Sequence, residues 1–85
     1  MTGVKYVITD ELGIHARPAG LLVKEAAKFQ SDIKIRKGEK EADAKRIFGI
    51  MSLAAKKGDE IIITADGTDE ADAITTIEEF LKANL

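Results

Sequence analysis

The chain has no cysteine, no tryptophan, one proline and one histidine. Without cysteine there can be no disulfides and no thiolate-held metal, and a lone histidine leaves too few ligands for a structural zinc site, so no metal is expected. Aromatic residues are scarce, three Phe and one Tyr, and Tyr6 is the only one expected on a strand. Surfaces that stack bases need aromatics grouped on a strand, and the net charge is −2, so nucleic acid is not an expected partner. Long apolar runs are missing too. Stretches such as Ile61-Ile62-Ile63 are far too short to span a bilayer, and no membrane insertion is expected. The opening residues Met1-Thr2-Gly3-Val4-Lys5-Tyr6 lack the charged start and long apolar stretch of a secretory signal, which points to a cytoplasmic location.

What remains is an ordinary globular balance, 45% hydrophobic and 33% charged over 85 residues. That length predicts a single small domain over residues 1–85. Val4, Tyr6 and Ile8 alternate along a strand at about residues 3–9, and Ile33 and Ile35 alternate with Lys34 and Arg36 along a second. Lys37-Gly38 is a plausible hairpin turn into a weaker strand at Lys40–Ala44. Glu60–Ala65 is dense in β-branched residues and makes a fourth. Between the strands lie three helical patterns. Pro18–Phe29 buries Ala19, Leu22, Val23, Ala26 and Phe29, and Arg46–Ala54 forms a short helix. The last helix, capped by Thr68 or Asp69, buries Ala71, Ile74, Ile77 and Leu81 with Phe80 beside them. The order βαββαβα predicts an α+β open-faced β-sandwich, a four-stranded antiparallel sheet with three helices on one face.

The only histidine and the only proline fall together in Gly13-Ile14-His15-Ala16-Arg17-Pro18. Proline is tolerated in the first turn of a helix, where its missing N–H would have no partner. His15 is therefore placed just before a helix start, where free N–H groups and the positive end of the helix dipole favour an anion. The backbone at Ala16 and Arg17 supplies those groups, and the Arg17 guanidinium matches phosphate geometry. A nucleophilic imidazole against an anion cradle points to phosphoryl chemistry. The reaction needs an uncharged ring nitrogen to attack phosphorus.

Two further features lie off the core arcs. Leu21 falls among the cations Arg17, Lys24 and Lys28 on the outer side of the first helix. On the second helix Ile47, Phe48 and Met51 form an arc apart from Ile50 and Leu53, too much for one short helix to bury. Apolar side chains ringed by Arg17, Lys24, Lys28, Lys45 and Arg46 would suit an acidic partner surface and transient association.

These segments closely resemble the HPr family, the histidine-containing phosphocarriers of the bacterial sugar phosphotransferase system. The resemblance rests on Gly13-Ile14-His15-Ala16-Arg17-Pro18-Ala19, on Ile47-Phe48-Gly49-Ile50-Met51-Ser52-Leu53 and on Lys57-Gly58-Asp59 before an isoleucine strand. It implies that His15 accepts a phosphoryl group on Nδ1 from enzyme I, itself phosphorylated by phosphoenolpyruvate, and passes it to EIIA proteins or domains of sugar permeases. Arg17 would assist the phosphoryl group, so that Arg17→Ala slows transfer without abolishing it. Leu21, Lys24, Ile47, Phe48 and Met51 would dock the partners. The protein would be a carrier rather than an enzyme, without a cofactor. One position departs from the family pattern. Many members carry a kinase-phosphorylated regulatory serine where this chain has Arg46, so regulation by a seryl kinase is not expected. A paralogue from a regulatory, nitrogen-branch phosphorelay is the alternative within the same family.

Overall fold

Period-two alternation gives each strand one apolar and one polar side, and the fold is built on that division. A computed structural model describes residues 2–85. Its elements are β1 (Thr2–Val7), α1 (Ala16–Ala26), β2 (Asp32–Lys37), β3 (Lys40–Asp43), α2 (Ile47–Ser52), β4 (Glu60–Asp66) and α3 (Glu70–Asn84). The βαββαβα order and the antiparallel four-stranded sheet are those the sequence predicts. In space the strands lie in the order β1-β4-β2-β3, so β4 is inserted between β1 and β2. Its register sets Tyr6 opposite Ile61 and Val4 opposite Ile63 on one side, and Ile35 opposite Ile63 and Ile33 opposite Ala65 on the other.

The shared face of these residues is covered by the helices. Ile33, Ile35, Ile61, Ile63 and Ala65 are buried together with Leu22, Ile50, Ile77 and Leu81. Each large aliphatic side chain removed from water in this way stabilises the fold by about 1.5–3 kcal/mol. On the other face Lys5, Lys34 and Arg36 stand exposed around half-buried Ile62 and Thr64.

The helices depart from the sequence reading in their ends and in one buried stripe. Helix α1 begins at Ala16, two residues before Pro18, and His15 is its N-cap. Pro18 is then the third helical residue, still within the turn whose N–H groups lack helical partners. The helix stops at Ala26 rather than Phe29. Phe29 still packs against the core, and its carbonyl accepts the Lys45 Nζ at 2.7 Å. Helix α2 stops at Ser52 because Ala54 has φ 51°, a left-handed value that no helix can continue through. In α3 the buried stripe is Ala73, Ile77 and Leu81, with Ile74 half-buried, whereas Ala71 is exposed. Ala71 stands two residues before Ala73 and so turns to the far side of the helix.

Asp69 is the N-cap of α3, yet its carboxylate does not cap that helix. It reaches across to the α1–β2 connection, where it accepts the N–H of Gln30 at 2.9 Å, the N–H of Ser31 at 3.0 Å and the Ser31 hydroxyl. Ser31 is the buried polar side chain of the core region. These bonds, the Ser31 hydroxyl first and the Gln30 N–H next, hold the Asp69 carboxyl below the usual aspartate range. A depressed carboxyl stabilises the fold fully above its unfolded-state pKa, about 3.9, and loses that contribution as pH falls through the lower folded value. Asp69→Asn is therefore expected to lower the urea midpoint at pH 7, with the gap from the parent narrowing as both are titrated below pH 4. A gap that stays constant with pH would remove the charge from the explanation.

Candidate functional site

The loop before α1 is fastened at both flanks. Thr9 N–H, Thr9 hydroxyl and Asp10 N–H all donate to the Leu85 backbone oxygen, at 2.6, 2.8 and 2.8 Å. Asp10 then folds the next residues into a turn. Its side chain accepts Leu12 N–H at 2.8 Å, and its carbonyl accepts Gly13 N–H at 2.9 Å. On the other flank Ile14 N–H donates to the Ala55 carbonyl at 3.0 Å. Gly13 makes that approach possible. It has φ 67°, and a Cβ there would lie 2.3 Å from the Ala55 carbonyl oxygen and 2.8 Å from Lys56 Cα.

His15 follows directly, half-buried and extended (φ −118°, ψ 178°). Its carbonyl receives Ala19 N–H at 3.0 Å, but its side chain makes no capping hydrogen bond. The Ala16 and Arg17 N–H groups at the start of α1 thus have no partner among the described residues, Pro18 has no N–H to offer, and the imidazole is left free of capping duty. Arg17 is exposed and makes no ion pair among the described residues. A shallow cleft of about 150 Å³ is lined by Asp10, His15, Arg17, Pro18, Leu21 and Asn84. Asn84, whose Nδ2 donates to the Phe80 carbonyl at 3.0 Å, comes from the end of α3. Nothing local in the sequence signals that it reaches this site.

Leu21, on the wall of the cleft, is one of the exposed apolar side chains of α1 and α2. Leu21 is 41% exposed, Met51 38% and Phe48 87%. Ile47 differs from them, being half-buried and packed against the core. Its Cδ1 lies 3.8 Å from where a Cβ on Gly20 would stand, so α1 and α2 meet at this point. The expected ring of cations is thinner than the sequence suggests. Lys45 is spent on the Phe29 carbonyl, and Lys28 pairs with Glu25 at 3.2 Å. Arg46, the N-cap of α2, stands 3.9 Å from Asp43 with its side chain 82% exposed. Lys24 and Arg17 remain as exposed cations outside any ion pair among the described residues.

A lone imidazole beside unpaired helix-start N–H groups, on an open-faced α+β sandwich with an apolar rim, fits a small phosphoryl-carrier protein. Comparison with known proteins agrees. Residues 3–83 match the family model of the PTS HPr component phosphorylation site. The phosphocarrier protein HPr of Mycoplasma capricolum is 49% identical over 73 residues, which is 86% of this chain and 82% of that protein. The solved structure of a mycoplasma histidine-containing phosphocarrier protein superposes with a TM-score of 0.94 at 44% identity, covering 96% of this chain and 93% of that one. An HPr from Thermoanaerobacter tengcongensis gives 0.93 at 40% identity, covering 98% and 93%. The chain belongs to the HPr family, the phosphocarrier proteins of the phosphotransferase system. No helix among the described residues is long and apolar enough to cross a membrane.

Proposed function

We propose that His15 is the phosphoryl acceptor, that it takes the group on Nδ1 from phosphorylated enzyme I, and that it delivers the group to EIIA proteins or domains of sugar permeases in the cytoplasm. The observation that carries this reading is the His15 side chain at the α1 N-cap position without a capping bond. An ordinary N-cap side chain satisfies the first N–H groups of its helix; here they are kept for a ligand. In the first transfer the Nδ1 lone pair forms the N–P bond as the bond from phosphorus to the donor breaks. The Ala16 and Arg17 N–H groups and the Arg17 guanidinium face the charge that arrives, and the dipole contributes roughly 0.3–2 kcal/mol. The second transfer runs the same steps outward, and the N–P bond is labile enough to give the group away.

Docking is assigned to Leu21, Lys24, Ile47, Phe48 and Met51. Phe48 is the clearest case because its ring is almost wholly exposed. Phe48→Ala is expected to change stability by no more than about 0.5 kcal/mol, while weakening partner binding by about 1–2 kcal/mol, roughly tenfold. Calorimetric titration and urea unfolding on one preparation would measure both, and the reverse pattern would return Phe48 to the core. Arg46 offers no hydroxyl at the start of α2, so a seryl kinase has no acceptor at that position.

The whole reading is tested by incubating the protein with phosphoenolpyruvate and enzyme I, followed by intact mass before and after mild acid. One acid-labile phosphoryl group is the expected result. No uptake, or an acid-stable adduct, would overturn it.

A further inference from the structure

Lys37, the last residue of β2, serves three acceptors that belong to other parts of the chain. Helix α2 ends at Ser52, and the last carbonyls of a helix need a cap, a cation or water. Lys37 Nζ lies 3.2 Å from the Leu53 carbonyl oxygen and 3.0 Å from that of Ala54. The sheet therefore supplies the cap. The cap matters here because Ala54, at φ 51°, holds a left-handed conformation that a non-glycine residue keeps only when its surroundings enforce it.

The same ammonium is 3.2 Å from Asp59 Oδ2, with both side chains about one-third exposed, at 29% and 35%. Asp59 closes the segment on itself. Its Oδ2 accepts Lys56 N–H at 2.8 Å, its own N–H donates to the Lys56 carbonyl at 2.9 Å, and its carbonyl accepts Ile8 N–H at 3.0 Å. The Lys56 N–H and then the Lys37 ammonium hold the Asp59 carboxyl below the usual aspartate range, so it is ionised at neutral pH. Lys37 thus grips both ends of the segment from Leu53 to Asp59. Inside it lies Ala55, whose carbonyl accepts the N–H of Ile14, the residue before His15.

We propose that Lys37 is a positioning residue for His15, clamping the 53–59 segment so that the Ala55 carbonyl holds Ile14 and fixes where the imidazole stands. The proposal rests on the phosphocarrier reading and deepens it. Because the clamp also ends α2, it sets the spacing between the docking side chains Phe48 and Met51 and the ring that receives the phosphoryl group. Weakening it leaves the docking surface in place but lets the imidazole wander from a productive approach.

The test uses Lys37→Met, which keeps much of the apolar stem and removes the charge, and Lys37→Arg, which keeps the charge. In Lys37→Met the Ile14 amide is expected to exchange with solvent roughly tenfold faster, with the sheet amides of Ile35 and Ile63 within about twofold of the parent. With enzyme I as donor, kcat for phosphoryl uptake is expected to fall roughly fivefold with KM within about twofold. Lys37→Arg restores most of both. Unchanged exchange at Ile14, equal acceleration at Ile14 and Ile63, or a loss confined to KM would each overturn the proposal. Should Lys37→Met fail to fold, Asp59→Asn loosens the same clamp while leaving the helix cap, and the same selective acceleration at Ile14 is required of it. The exchange measurement needs no donor protein, so it decides the clamp even if the parent takes up no phosphoryl group.

Discussion

His15→Ala is expected to take up no acid-labile phosphoryl group from phosphoenolpyruvate and enzyme I, while remaining folded. The loss is expected to be complete because the chain has a single histidine. Residual phosphorylation on a hydroxyl would survive mild acid, and an acyl phosphate on a carboxylate would be lost in base as well as in acid, so neither matches a phosphohistidine. The fold should barely notice the change. The imidazole is only half-buried and makes no capping bond, so the cost is within about 0.5 kcal/mol, as for substitutions away from packed or bonded positions. Intact mass at neutral and acid pH, beside a urea unfolding curve, reads both halves. An acid-labile adduct surviving in His15→Ala would falsify the assignment of the acceptor, and a large loss of stability would show the ring to be a structural element of the helix start.

Gly13→Ala has the largest expected effect on folding, about 2–4 kcal/mol out of the 5–15 kcal/mol typical of a domain. Two terms add. A non-glycine residue at φ 67° costs about 1–2 kcal/mol in the left-handed region. The new Cβ would also lie 2.3 Å from the Ala55 carbonyl oxygen and 2.8 Å from Lys56 Cα, both backbone atoms that cannot swing aside. Gly38 is the built-in control. Its φ is 60°, almost the same, but a Cβ there meets nothing within 4 Å, so Gly38→Ala is expected to lose only the conformational part, about 1 kcal/mol. Urea midpoints of the two variants separate strain from collision. Equal losses would show that the approach to Ala55 contributes nothing. The collision term also bears on the site, since relieving it by moving the 55–56 backbone breaks the Ile14 bond beside His15.

Much of this molecule could be read along the chain. Val4, Tyr6 and Ile8, then Ile33 and Ile35, state the strands by their alternation, and Ala19, Leu22 and Ala26 state the inner face of α1. The lone proline three residues after the lone histidine marked a helix start, and the structure moved that start by only two residues. Leu21, Phe48 and Met51 were legible as apolar residues off the core arc, and they are exposed. Ile47 was less so, because its packing against the core and its approach to Gly20 depend on how α1 and α2 cross.

The misreadings share a cause. Periodicity alone places Ala71 on the buried side, but which side is buried depends on where α3 meets β1 and β4. Lys45 reads along the chain as a surface cation, and no pattern there reveals that it reaches the Phe29 carbonyl. The α2 end turns on the left-handed backbone of Ala54, which its residue type does not advertise.

Composition and local order determined the class of the fold and singled out His15 and the helix start after it as the proposed nucleophile and anion cradle. Those depend on side-chain chemistry and on periods of two or about 3.6 residues, which the sequence carries directly. The strand order β1-β4-β2-β3, the Asp69–Ser31 tie, the Asn84 wall of the cleft and the Lys37 clamp came only with the packed chain. Each joins groups far apart in sequence, and a polar group's partner is chosen by the topology that brings the two within about 3 Å, not by its neighbours along the backbone.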